Sequence, residues 1–124
     1  MHRVRLIARI LLGLVFTIFG LNGFFHFLPQ PPMSGPPLDF FTALFATHYM
    51  LPLIFGTQTV GGVLLLLGVA VPFALLILAP VIVHILAFHL ALNPSGIGPG
   101  VVVTILELYL ASTYWEKFAP LFSS

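Results

Sequence analysis

The sequence predicts an all-α integral membrane four-helix bundle, N-in/C-in, with a short interfacial helix in the first outer loop. Of the 124 residues, 60% are hydrophobic and only 6% are charged, whereas a soluble domain averages about 25% charged residues. Four basic and three acidic side chains cannot cover a soluble surface, so lipid must solvate most of it. The length suits one membrane domain, 1–124.

Charge and cysteine content exclude several classes of function. The net charge is +1, and the only cluster of basic residues precedes a hydrophobic run. We therefore expect the chain to interact with a lipid bilayer and not with nucleic acid. The chain contains no cysteine. This excludes disulfides, thiolate metal sites and any mechanism that needs the protein's own thiols.

The first span is predicted at 4–28, since about 20 apolar residues cross a hydrocarbon core of about 30 Å. Its basic start resembles a signal peptide, but the apolar run is too long and no A-x-A-type cleavage site follows it. The positive-inside rule keeps Arg3, Arg5 and Arg9 cytoplasmic. We therefore expect a multi-pass protein of the inner (cytoplasmic) membrane whose first helix exits outward.

The first outer loop begins with PQPPMSGPP, residues 29–37, which has too many prolines to be helical. The aromatic segment 38–48 then predicts an interfacial helix on the outer leaflet. A lid that faces the lumen is the alternative.

Three further spans are predicted at 49–67, 72–92 and 101–118. The second carries Gln58 beside Gly61 and Gly62, and such small residues allow close helix approach. A four-residue turn makes the second and third spans antiparallel neighbours, and Pro80 is expected to kink the third. The breaker-rich segment 93–100 predicts an outer loop, and the fourth span ends in aromatic and basic residues typical of a membrane interface.

Each predicted span contains one strongly polar side chain at a similar depth. With a rise of about 1.5 Å per residue, Asn22, Gln58, His84 and Glu107 lie about 9, 14, 12 and 10 Å below the outer ends of their helices. Their common depth predicts an inward-facing polar layer. His26, one turn outward of Asn22, and His89 form a second layer above it.

Glu107 is the most informative of these residues, because no Arg or Lys is available at its depth. We expect a Glu107–His84 pair that relays protons or holds the carbonyl of a quinone. His84 and His89 are about 140° apart around their helix, so we do not expect them to bind one ion together. The candidate ligand-binding or proton-handling residues are Asn22, His26, Gln58, His84, His89 and Glu107.

Other interpretations of these residues stay open. Asn22 and Gln58 can simply hold the helices together through interhelical hydrogen bonds, and a buried His–Glu pair can be purely structural. Three imidazoles and a carboxylate can also satisfy a metal, or a histidine can bind haem, but no H-x-x-x-H or E-x-x-H spacing occurs. We assign no catalytic residue and no metal ligand.

The segments ARILLGLVFTIFGLNGFFHFLPQPP, GGVLLLLG, VPFALLILAPVIVHILAFHL and LELYLA resemble the DoxX family over about residues 8–120. The most specific parts are GLNGFFHFLPQPP and APVIVHILAFHL. The resemblance implies a small four-helix membrane protein in a quinone-linked or redox-associated process, or one that accompanies a larger complex. The sequence departs from the family at Gln58, where a carboxylate is common, and at His84, where an asparagine is common.

The sequence thus favours a DoxX-like protein whose polar His/Glu pocket, in the outer half of the bundle, binds a quinone or a similar apolar ligand. It shows no redox centre of its own, so we expect that it is not an enzyme alone. One alternative is a non-catalytic accessory or structural subunit packed on other membrane subunits or forming a homo-oligomer. Another is a metal- or haem-binding bundle.

Overall fold

A computed structural model describes residues 2–25 and 34–122, and within these ranges the chain is helical without strands. The all-helical prediction is therefore confirmed for the described residues. Short 3-10 turns occur at Pro94–Gly96 and Ala119–Phe122. The α-helices are α1 (His2–Phe25), α2 (Pro36–Ala46), α3 (Met50–Leu67), α4 (Val71–Ala91), α5 (Ile97–Thr113) and α6 (Trp115–Phe118).

Several of these helices are long and apolar enough to cross a membrane. Among the described residues, Arg3–Phe25, Met50–Leu67 and Val71–Ala91 meet that requirement individually. The pair Ile97–Thr113 and Trp115–Phe122 meets it jointly, although it is bent by 80° at the break. Three to four helices could thus span a bilayer, which indicates a multi-pass membrane protein.

Small residues allow α1 and α3 to pack closely as antiparallel neighbours. A Cβ atom built on Gly62 would lie 2.5 Å from the Thr17 nitrogen and 2.8 Å from the Gly13 carbonyl oxygen. A Cβ on Gly20 would overlap Thr59 in the same way. The backbones of the two helices therefore approach where the sequence predicted close packing around Gly62.

The remaining long helices continue this packing, with α3 against α4, α4 against α5, and α5 against α1. Their shared core is aliphatic and aromatic, while many large apolar side chains remain on the outside, as expected where lipid is the solvent. The largest fully buried side chains in the described part of the chain are Leu12, Phe16, Leu65, Leu75, Leu78 and Leu110.

A short turn joins α3 to α4. Gly68 ends α3 in the left-handed conformation, with φ 71°, as is common after a helix C-terminus. Ala70, at the start of α4, also has a positive φ of 49°, which is strained for a residue with a Cβ atom. Arg9 Nη1 donates a hydrogen bond to the Leu65 carbonyl oxygen at 2.9 Å, and so ties α1 to this turn.

The fourth predicted helix differs from the observed one at both ends. The segment 93–100, predicted as a loop, contains a 3-10 turn and the first turn of α5, which begins at Ile97. Pro99 is tolerated there because N–H groups in a first helical turn have no intrahelical partners. At the other end, the predicted single helix 101–118 breaks at Tyr114 and turns into α6.

Helix α2 occupies much of the segment predicted as interfacial. It has no buried residue, and it lies against the C-terminal half of α4 through aromatic rings. The Phe40 ring centroid is 5.4 Å from that of His84 and 5.2 Å from that of Phe88. Of the segment 29–37, predicted to be a non-helical proline connector, residues 29–33 lie outside the described residues, whereas Pro36 and Pro37 form the start of α2, where a proline needs no intrahelical N–H partner.

Candidate functional site

Three of the polar side chains predicted to face inward are buried between the helices. Asn22 of α1 is 4% exposed, and Gln58 of α3 and Glu107 of α5 are each 8% exposed. Each comes from a different helix and is surrounded by an otherwise apolar core. Burial of such groups is costly unless they find polar partners, so this interior layer is the candidate site.

Contacts between neighbouring helices show that Gln58 and Glu107 lie at a similar depth. On α4, Leu78 packs beside Gly61, while His89 packs beside Gly100. Counting along the antiparallel helices from these contacts at about 1.5 Å per residue places Gln58 and Glu107 between the levels of Leu78 and Ile82. The same count across α1 and α3 puts Asn22 within about one turn of them.

Glu107 carries the unusual chemistry of this layer. Its Oε1 atom is buried and has no hydrogen-bond partner among the described residues. The hydroxyl oxygen of Thr17, on α1, has the same property. Buried polar atoms in folded proteins nearly always have a partner, and each exception calls for an explanation such as a catalytic role or an unseen water or ion.

Thr17 was not among the residues that the sequence singled out for this layer. A threonine can bond back to its own helix in a span, so its residue type alone does not predict a site. The available signal was its position between Gly13 and Gly20 on the small-residue face of α1, which packs against α3.

His84 does not join the interior layer. Its side chain is exposed and its ring packs on Phe40 of α2. It lies about 200° around α4 from Ile82, which is 4% exposed and faces the core. The described residues contain no contact between His84 and Glu107, so the expected pair is not formed, because the two side chains leave α4 and α5 in different directions.

His89 is the α4 histidine that faces α5. It follows Ile82 by about two turns and so shares its buried face. Its Nδ1 atom lies 2.8 Å from the Ile85 carbonyl oxygen, and because a carbonyl only accepts, Nδ1 is the donor. A Cβ atom on Gly100 would be 3.9 Å from this nitrogen. His89 therefore lies at the helix interface, nearer than Glu107 to the segment that joins α4 and α5.

The remaining predicted site residue, His26, lies outside the described residues. Within 2–25 and 34–122, no three His, Cys, Asp or Glu side chains come together as a metal site requires. The structure thus brings Asn22, Gln58 and Glu107 into the interior and leaves His84 exposed on the side of α4 that contacts α2.

Comparisons with known proteins add no assignment. No family model matches the chain, and no curated protein or solved structure matches it either.

Proposed function

We propose that this protein is a DoxX-like integral membrane four-helix bundle that holds a quinone or a similar carbonyl-bearing apolar ligand in its polar interior layer. The observation that carries the proposal is the buried Oε1 atom of Glu107, which has no hydrogen-bond partner among the described residues. Intramembrane ionisable residues are costly and commonly mark ligand or proton pathways.

The chemistry of the layer suits such a ligand. A quinone carbonyl only accepts hydrogen bonds, while a protonated carboxyl group donates one and the Gln58 amide donates two. The apolar walls of the layer, which include Ile82 and Val103, suit the ring and its hydrocarbon tail. Glu107 would bind the carbonyl and exchange a proton with it, while the electrons would come from a partner subunit.

The orientation proposed for the bundle is N-in/C-in in the inner membrane. The four Lys and Arg residues of the chain are Arg3, Arg5, Arg9 and Lys117. All of them belong to the start of α1 or to α6, and Arg5 lies over the ring of Tyr114 at the end of α5. Such an excess of basic residues at one end supports a cytoplasmic location for that end.

Binding of decylubiquinone to the purified protein in phosphatidylcholine nanodiscs tests the proposal. Glu107→Leu should weaken binding about fivefold or more, because an unmade buried hydrogen bond costs about 1–3 kcal/mol. Glu107→Gln keeps an N–H donor and should bind more tightly than Glu107→Leu. His84→Leu is the matched control, since His84 is exposed, and it should bind as the wild type does.

The second candidate is an accessory subunit, favoured by the large apolar side chains that remain exposed around the helices, such as Val83 and Leu90. Another membrane protein can pack against these side chains in place of lipid. Wild-type quinone affinity in Glu107→Leu, combined with copurification of a stoichiometric partner, would refute the ligand proposal and favour this one.

A further inference from the structure

A second polar feature lies at the end of the helices opposite α2, where α1 and α4 begin and α3 and α5 end. A cavity of about 270 Å³ opens there; Arg5, Arg9 and Tyr114 line it, and its lining contains no acidic residue. This volume is slightly below the range of about 300–1,000 Å³ for drug-sized ligands. We propose that this cavity binds an anionic phosphate group, such as the headgroup phosphate of a membrane lipid.

Both arginines are held in place by contacts that leave hydrogen-bond donors available. Arg9 donates to the Leu65 carbonyl at 2.9 Å, which uses one of the five N–H groups of its guanidinium. The Arg5 guanidinium carbon lies 5.4 Å from the centre of the Tyr114 ring. Such a cation–π contact uses none of the N–H groups of the planar fork that binds phosphate.

The rest of the lining favours a lipid as the source of the phosphate. Leu6, Leu67 and Val71 also line the cavity, and Leu67 is 68% exposed, so apolar surface adjoins the arginines. Val71 begins α4, whose N-terminal dipole favours negative charge. Basic pockets between membrane helices on the cytoplasmic side bind anionic headgroups. The proposal needs membrane insertion but does not depend on a ligand at Glu107.

The lipid arm of the test uses nanodiscs of equal parts phosphatidylglycerol and phosphatidylcholine, with native mass spectrometry to count the lipids that stay bound. The wild type should retain one phosphatidylglycerol. Arg5→Gln should weaken this retention about tenfold or more, since hydrogen bonds to charged groups are worth about 1.5–3 kcal/mol. Arg3→Gln is the matched control: Arg3 is an exposed residue of the same helix and does not line the cavity.

Arg3→Gln removes the same charge but should weaken retention only about fivefold or less, the effect of one surface charge worth about 1 kcal/mol. Circular dichroism checks that each variant is folded. If Arg5→Gln is not, Arg5→Lys serves instead: it keeps the charge but loses the planar fork, and it should still weaken retention relative to Arg3→Lys.

The second arm asks whether free phosphate is the ligand. Trp115, the only tryptophan, adjoins Tyr114 and reports on the cavity by fluorescence when sodium phosphate is titrated at constant ionic strength into protein in phosphatidylcholine nanodiscs. A saturable response that Arg5→Gln abolishes assigns the site to free phosphate, and selective retention of phosphatidylglycerol without that response assigns it to lipid. Equal losses of retention in the Arg5 and Arg3 variants, with no saturable response, overturn the proposal.

Discussion

Because α1 and α3 are in close contact, a Gly→Ala substitution in α3 should stabilise or destabilise the protein according to its position. In Gly62→Ala, the new Cβ atom would lie 2.5 Å from the backbone nitrogen of Thr17 and 2.8 Å from the carbonyl oxygen of Gly13. Both are backbone atoms, so α1 itself must move. Overpacking of this kind costs about 1–3 kcal/mol.

The matched control is Gly56→Ala, in the same helix. A Cβ atom at Gly56 would meet nothing within 4 Å, so this variant should be neutral or gain up to about 1 kcal/mol from the higher helix propensity of alanine. The propensity gain applies to both variants, so they should differ by the overpacking cost, about 1–3 kcal/mol.

Unfolding of the purified variants by sodium dodecyl sulfate in mixed micelles, followed by circular dichroism, measures this difference. Equal stability of Gly62→Ala and Gly56→Ala would refute the inferred packing of α1 on α3. Greater stability of Gly62→Ala would refute it as well.

Three further outcomes follow from the fold. Ala70→Gly removes the strain of a positive φ of 49° at a residue with a Cβ atom and should stabilise the protein by about 1 kcal/mol. The melting temperature of this variant should be higher than that of the wild type, and an unchanged one would contradict the prediction. Leu78→Ala shortens a side chain that is 0% exposed and should lower the free energy of unfolding by about 2 kcal/mol. Leu76→Ala, at a position that is 48% exposed, should change it little. Equal losses of unfolding free energy in the two variants would contradict the burial of Leu78 in the core. Because the chain lacks cysteine, a membrane-impermeant thiol reagent should label Ser95→Cys but not Val69→Cys in sealed right-side-out vesicles, and the reverse pattern would invert the proposed orientation.

The inward position of three polar residues could be predicted from the sequence because a lipid-facing amide or carboxyl group is costly. Asn22, Gln58 and Glu107 each lie in an apolar run, and each is buried. Their common depth followed from the constant rise of a helix, which needs no knowledge of how the helices are rotated.

The rotation of α4 could not be predicted in the same way. This helix is apolar on every face, so no amphipathic stripe tells which side is buried. Depth in the membrane was therefore the only guide, and it favoured His84 as the residue that faces the polar layer. In the structure, the side of α4 that packs on α5 contains Ile82 and His89 instead. The contact between the His84 and Phe40 rings is a tertiary contact of α2 that no local pattern encodes.

The break at Tyr114 also had no signal in the sequence. No proline or glycine occurs between Val101 and Phe118, and such residues are the usual cause of a sharp bend. The aromatic and basic residues around the break, Tyr114, Trp115 and Lys117, are also typical of the end of a span at a membrane interface. The sequence therefore predicted one helix where the structure has α5 and α6 at 80°.

The central claim is that Glu107 forms a hydrogen bond to a carbonyl-bearing ligand inside the membrane. Infrared difference spectroscopy of the protein in nanodiscs, with and without decylubiquinone, observes that bond through the carbonyl stretching band of the Glu107 carboxyl group. We predict that the quinone shifts this band in the wild type and in His84→Leu, and that the signal is absent in Glu107→Gln. An unshifted band on quinone binding, or a shift that persists in Glu107→Gln, would contradict the claim.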